Sequence, residues 1–285
     1  MILPQKEKLS KYHQIYVSFL IQNFRVHFRM TYVIGDIHGM LDECLLLLDE
    51  IHRHHANTSG TITIFAVGDL VDRGPQTAKT IEFLADKSNG IRSVQGNHDT
   101  WFCACMKEMS SSKPPKLIYD WLRQGGMETL ASYVPEHLIK KIISDDSPAL
   151  FDLIASHIPE HHISFLKQLP LMLENDVCIV THALCTPRYY ALLKQYDQKK
   201  IPEYIQLFVQ WNRDAPDAPI SREKIHISGH TPVQNALLFE KTNAINIDTG
   251  AVFGGKLSAV CVETLEVLSV DAKSHQFVQI RLTIR

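Results

Sequence analysis

The stretch Thr31-Tyr32-Val33-Ile34-Gly35-Asp36-Ile37-His38-Gly39 sets a short, branched apolar run directly before a polar loop flanked by glycines. The same succession returns four times. Thr61 to Val67 leads into Gly68-Asp69-Leu70-Val71-Asp72-Arg73-Gly74, and Ile91 to Val94 into Gly96-Asn97-His98-Asp99. Val177 to Val180 leads into Thr181-His182, and Ile225 to Ser228 into Gly229-His230-Thr231. Brevity and branching predict buried strands. In open α/β sheets ligands bind beyond the carboxyl ends of the strands, so loops far apart in sequence can meet there.

Asp36 and His38 occupy alternate positions of an extended loop, so both side chains can point to one side. Gly35 and Gly39 permit close approach at a crowded centre. Carboxylate, imidazole and amide donors together suit manganese, iron or zinc better than calcium. Asp69 has two oxygens and can bridge two ions. Two ions about 3.5–4 Å apart polarise a phosphoryl group and lower the pKa of a shared water enough to supply hydroxide near neutral pH. No serine or cysteine nucleophile is then required.

Met40 to His55 places Leu41, Cys44, Leu45, Leu48 and Ile51 on one helical stripe, and Pro75 opens a second helix through about Ala85. The repeating unit of strand, polar loop and helix predicts a largely parallel sheet in the N-terminal half. Residues 101–170 read as a helical insert broken at Lys113-Pro114-Pro115, Gln124-Gly125-Gly126, Val134-Pro135 and Ser147-Pro148. After His230 the chain turns to strands at Ala236–Phe239, Ala244–Ile247, Leu257–Val262 and Phe277–Ile284. Residues 1–29 read as an N-terminal extension and 30–285 as the catalytic domain.

A net charge of −2 gives no global basic field, which argues against nucleic acid as the main partner. The apolar run Ile15 to Ile21 is far shorter than the roughly 20 residues of a membrane span. No membrane association is expected, and the reading is cytoplasmic. The six cysteines read as reduced, buried thiols.

Taken together, the five motifs resemble the phosphoprotein phosphatase family of metallophosphoesterases in its compact phage and bacterial form, over about Tyr32 to Val260. The resemblance implies an α/β, calcineurin-like metallophosphoesterase sandwich of two mixed β-sheets flanked by helices, with the helical insert at about 101–170. It implies two divalent metal ions, manganese first, with iron or zinc as alternatives. Asp36 and His38 would bind the first ion, Asp69 would bridge, and Asn97, His182 and His230 would complete the second. His98 would be the general acid, held by Asp72, while Arg73 and Arg213 would grip the phosphate. Asp248 is given a supporting role only.

The implied activity is a phosphomonoesterase in which activated hydroxide attacks phosphorus. The first expectation is a serine/threonine protein phosphatase, with phosphotyrosine as a further substrate and a phosphoprotein or phosphopeptide as partner. The alternative is a symmetrical dinucleoside tetraphosphate hydrolase. Asp99 and the compact size favour it, whereas the acidic Asp72 is often missing from that branch. A non-catalytic binding module is opposed by intact ligands at every motif, and a related phosphodiesterase by Pro232, where those relatives commonly carry a second histidine. Most of the fifteen histidines read as chemically idle. His161 and His162 read as surface residues, their adjacency placing them on different helix faces and disfavouring a joint metal site.

Overall fold

A computed structural model describes residues 28–56, 60–109, 116–142, 147–197 and 200–282 of the 285-residue chain. Nearly all of the proposed N-terminal extension lies outside the described residues, as does the Lys113-Pro114-Pro115 break. Residues 28 and 29 belong to the first strand, β1 (Phe28–Ile34), which starts three residues before the expected Thr31.

Beside β1 lie β2 (Gly60–Ala66) and β3 (Ile91–Ser93), all parallel, the helices between them making the crossovers that parallel pairing demands. Those helices are α1 (Leu41–His55) and α2 (Thr77–Ala85). The latter begins two residues after Pro75, because Gln76 N still donates to Gly39 O at 3.0 Å before the helical ladder starts. Helix α3 (Asn97–Met109) follows β3. The insert continues as α4 (Lys116–Trp121), a π-turn over Leu122–Gly126, α5 (Met127–Tyr133), α6 (Glu136–Ile142), α7 (Pro148–Ala155) and α8 (Glu160–Gln168).

A second sheet takes β4 (Met172–Glu174), β5 (Cys178–Thr181), β6 (Ile225–Ser228), β7 (Leu237–Phe239) and β8 (Ala244–Asn246) in the order β4-β5-β6-β8-β7. Helices α9 (Pro187–Gln195) and α10 (Glu203–Trp211) join β5 to β6. The chain then returns to the first sheet as β9 (Lys256–Cys261), β10 (Glu266–Asp271) and β11 (Phe277–Arg281), giving the order β11-β10-β9-β1-β2-β3. Both sheets are mixed, since β9 to β11 and the outer pairs β4-β5 and β7-β8 are antiparallel. β4 and β10 correspond to none of the strands expected from the sequence.

Alternation along each strand decides which layer a side chain enters. Val33, Phe65, Val180, Ile227, Ile245 and Val260 fill the space between the sheets. Their neighbours Tyr32, Ile34 and Ala66 face outward into a core shared with α1, α2 and the insert. On the other flank Ile179 packs with Leu193, Ile205 and Val209 of α9 and α10. Strands buried on both faces therefore appear as unbroken apolar runs. All six cysteines are buried and none is in a disulfide. Among the described residues no helix is long and apolar enough to cross a membrane.

Candidate active site

The loops after β1, β2, β3, β5 and β6 meet at one end of the two sheets and are tied to one another through backbone bonds. His38 N donates to Asp69 O at 2.8 Å and Gly39 N to Leu70 O at 3.0 Å, locking the first loop to the second. Gly229 N donates to His182 O at 2.7 Å, and His230 N reaches the Asp36 carboxylate at 3.1 and 3.2 Å. These cross-ties hold unusual backbone: His38, Asp69, Asp72, Arg73 and His230 all have φ between 45° and 71°. A left-handed residue other than glycine costs of order 1–2 kcal/mol. Five of them at one place require a surrounding structure that over-determines each turn.

Two donor groups share Asp69: Asp36, His38 and Asp69 on one side, Asp69, His182 and His230 on the other, all buried. His38 Nε2 lies 3.5 Å from Asp69 Oδ2, and His182 Nε2 lies 3.3 Å from Asp69 Oδ1. Asn97 Oδ1 joins the second group, 2.8 Å from His182 Nε2 and 2.9 Å from His230 Nδ1. Backbone carbonyls fix two of the rings. His38 Nδ1 is 2.7 Å from Val71 O and His182 Nδ1 2.8 Å from Val67 O, so each donates there and turns the lone pair of Nε2 inward. The inward-facing His182 nitrogen then meets two oxygens, Asn97 Oδ1 and Asp69 Oδ1, with no proton of its own to share. His230 Nε2 is buried without a hydrogen-bond partner among the described residues. A set of facing acceptors short of protons is what a pair of divalent cations would satisfy, and the mixed oxygen and nitrogen donors fit first-row transition ions.

Electrostatics point the same way. Burial, then Asp248 and Asp69, push the Asp36 carboxyl well above its ordinary pKa. Burial, with Asp69 adding to it, lifts Asp248 to about 6. Burial would raise Asp69 too, but the imidazoles of His182, His98 and His38 outweigh it and hold the carboxyl below the usual range. Burial takes His38 and His230 down to about 3 and lowers His182, keeping all three in the neutral form that binds metal. Carboxylates crowded in one buried pocket repel unless positive charge lies between them.

His98 N donates to Asp69 Oδ1 at 3.0 Å, and His98 Nδ1 lies 2.7 Å from Asp72 Oδ2. Burial disfavours the charged imidazole, yet the Asp69 and Asp72 carboxylates raise its pKa above the ordinary value. The Arg73 guanidinium spans the two rings, Nη1 donating to His38 Nε2 at 2.6 Å and Nη2 to His98 Nε2 at 2.7 Å. Arg213 is exposed at the rim, its Nη1 3.5 Å from Thr231 Oγ1 and one loop position from His230. Nine of the ten residues singled out from the sequence thus gather in one cluster, eight of them buried and Arg73 half-buried, with Arg213 outside it at the edge. The Asp248 carboxylate accepts from Gly250 N at 3.0 Å beside that cluster.

Trp121, Thr129 and Gln210 support the cluster and carry no sequence signal. Trp121 Nε1 donates to Asp72 Oδ2 at 2.9 Å, while Thr129 Oγ1 donates to Asp72 Oδ1 at 2.8 Å and accepts from Asp72 N at 2.9 Å. Both lie in the insert, which therefore positions the Asp72–His98 pair. Asp99 accepts from Leu70 N and Gly96 N, and the buried Gln210 amide donates to Gly96 O at 3.2 Å and Thr100 Oγ1 at 2.7 Å, bracing the third loop. Space is equally exacting. A Cβ on Gly229 would fall 1.9 Å from Asp36 Oδ1 and 2.6 Å from Val67 Cγ2. Gly229→Ala is expected to displace Asp36, reduce bound metal on elemental analysis and destabilise by about 1–3 kcal/mol in thermal unfolding. Unchanged metal content would show that Asp36 is free to move.

Residues 30–246 match the model of the calcineurin-like phosphoesterase family. The chain is 29% identical over 275 residues to the symmetrical bis(5'-nucleosyl)-tetraphosphatase of Neisseria gonorrhoeae (strain FA 1090), covering 85% of this chain and 95% of that protein. It is 28% identical over 262 residues to the asymmetrical bis(5'-nucleosyl)-tetraphosphatase PrpE of Bacillus subtilis (strain 168), covering 84% and 93%. A crystal structure of a protein provisionally described as a diadenosine tetraphosphatase superposes with a TM-score of 0.51 at 21% identity, covering 88% of this chain and 92% of that one, and shares its fold.

These relatives correct the expectation of a phosphoprotein or phosphopeptide partner, because the proteins that the chain matches over nearly their whole length are dinucleoside tetraphosphatases. The physical reason is that an imidazole held by a carboxylate, as His98 is by Asp72, carries nothing that would select a protein substrate over another phosphate ester. With its strand order, its converging loops and the span of the matched region in agreement, the chain belongs to the calcineurin-like phosphoesterase family, the metallophosphoesterases that work with divalent metal ions.

Proposed function

We propose that this chain hydrolyses dinucleoside polyphosphates and cleaves diadenosine tetraphosphate symmetrically into two molecules of ADP. The observation that carries this reading is a pair of exposed aromatic side chains at the two ends of the donor cluster. Phe253 is 62% exposed and lies 5.3 Å from the Arg73 guanidinium, which borders His38. Trp211 is 42% exposed, 5.9 Å from the His230 ring and 6.1 Å from Trp101. An aromatic face stacks on a nucleobase for about 1–3 kcal/mol per base. A substrate with a base at each end of a polyphosphate chain uses both platforms and leaves its middle over the cluster. The tetraphosphatases that resemble this chain support the same class of substrate.

Asp36, His38, Asp69, Asn97, His182 and His230 would hold two divalent ions, manganese being the first choice, which polarise the phosphoryl group and make water a competent nucleophile. Arg73 and Arg213 neutralise the polyphosphate with forked guanidinium contacts. Water adds to phosphorus, the bridging P–O bond breaks, and His98 protonates the departing ADP oxygen from the ring that Asp72 orients. Six buried, unbridged thiols accord with a cytoplasmic enzyme.

Steady-state rates on diadenosine tetraphosphate and on a phosphopeptide, with one manganese stock, test the proposal. The dinucleotide is expected to have the higher kcat/KM by on the order of 100-fold, equivalent to two stacked bases, with ADP as sole nucleotide product. Phe253→Ala should raise its KM about tenfold. Faster phosphopeptide turnover would sink the assignment, and ATP plus AMP as products would move the scissile bond away from the centre.

A further inference from the structure

Glu82 on α2 and His161 and His162 in the first turn of α8 converge outside the candidate active site. His161 Nε2 lies 2.9 Å and His162 Nε2 2.7 Å from the same oxygen, Glu82 Oε2. Adjacent helical residues point about 100° apart, which is why the sequence argued against a shared site. Here the two rings stand 4.4 Å apart at 75° and both nitrogens swing onto one point. His162 is also not the surface residue expected from the sequence: its side chain is 4% exposed, against 60% for His161 and 67% for Glu82.

The buried ring is oriented from behind. Tyr133 Oη is 2.8 Å from His162 Nδ1, and Tyr133 is itself stacked on Phe102 in the core. With an ion bound, Nδ1 would donate to the phenol oxygen and leave the Nε2 lone pair for the metal, the second-sphere arrangement typical of histidine ligands. All three donor atoms lie within 4.8 Å of one another. Zinc bonds near 2.0–2.2 Å place tetrahedral ligands roughly 3.3 Å apart, so the 2.9 and 2.7 Å contacts to Glu82 need to open by about half an ångström. Glu82 and His161 are exposed enough to make that adjustment. A surface cleft of about 680 Å³, lined by Glu82, His162 and Tyr133, gives an ion and its water ligand access.

We propose that Glu82, His161 and His162 form a third divalent metal site, of zinc class, with three protein ligands and one position open to water. Two imidazoles and one carboxylate select a first-row transition ion over calcium or magnesium. The ion would clip α8 of the insert to α2 of the sheet layer. None of its ligands belongs to the Asp69 cluster, so the site stands whether or not the proposed substrate is right.

Zinc binding to the full chain, read by equilibrium dialysis with elemental analysis, tests this in the Asp69→Asn background with and without His161→Ala. Because Asp69 is common to both backgrounds, any ion retained at the active site cancels in the comparison. The expected result is one zinc ion more per chain when His161 is present, and a zinc-dependent rise in Tm that His161→Ala removes. Glu82→Gln should reproduce the loss, and both altered side chains are exposed enough to leave folding intact. In the otherwise unaltered protein, cobalt(II) should give an added visible absorption band that His161→Ala abolishes. Equal zinc content and equal cobalt spectra with and without His161 would overturn the site and leave a plain histidine–glutamate hydrogen-bonded cluster.

Discussion

Asp69→Asn is expected to lower turnover on any phosphate ester about a thousandfold or more, on the order of 4 kcal/mol of barrier, and to abolish paired metal binding at the active site. Asp69 is the single residue common to both donor groups, with one carboxylate oxygen facing His38 and the other facing His182. An amide in its place substitutes an N–H donor for one of the two oxygens and removes the negative charge that balances two cations. The loss therefore reaches both ions. Elemental analysis of dialysed protein beside steady-state rates checks it, and two ions retained at the Asp69 cluster would refute the bridging role. The same carboxylate accepts from His98 N, so a local stability change is expected as well and is read separately by thermal unfolding.

His98→Asn is expected to behave in the opposite sense toward metal. The protein should keep both ions at the Asp69 cluster while turnover falls about 10²–10⁴-fold, the range of a lost general acid. The fall should be steepest on alkyl phosphates, whose leaving oxygen needs the proton, and shallowest on an activated aryl phosphate. The structure supports the division of labour. His98 contributes its backbone N–H to Asp69, which asparagine preserves, whereas its ring belongs to a separate chain of contacts running through Asp72 to Trp121 and Thr129. Equal metal loss in Asp69→Asn and His98→Asn would contradict the roles given to both. A uniform rate loss across leaving groups would remove His98 from proton transfer.

The insert changes its meaning between the two levels of description. Its sequence shows helical spacing and turn residues, and nothing in Trp121 or Thr129 distinguishes them from core filler. In the folded chain they lie 49 and 57 residues from Asp72 and supply two hydrogen bonds to its buried carboxylate. Gly125 completes the contact by accepting from Arg73 N in a left-handed turn, where a Cβ would fall 2.5 Å from the Arg73 side chain. Substrate class shows a similar gap. The donors are generic to phosphoryl chemistry, while Phe253 and Trp211 become a rim only once β8, β9 and α10 are placed around them.

By itself the sequence determined most of the strand positions, the order of the polar loops and the identity of the clustered donors. Those signals are local: short branched apolar runs, glycine at tight turns, and ligand-type side chains immediately after each strand. Only the tertiary structure decided which distant groups hold those donors in place, how His161 and His162 come to share Glu82, and what surrounds the site. Such contacts join residues tens of positions apart, and a hydrogen bond across that separation leaves no periodicity in either segment for a sequence to display.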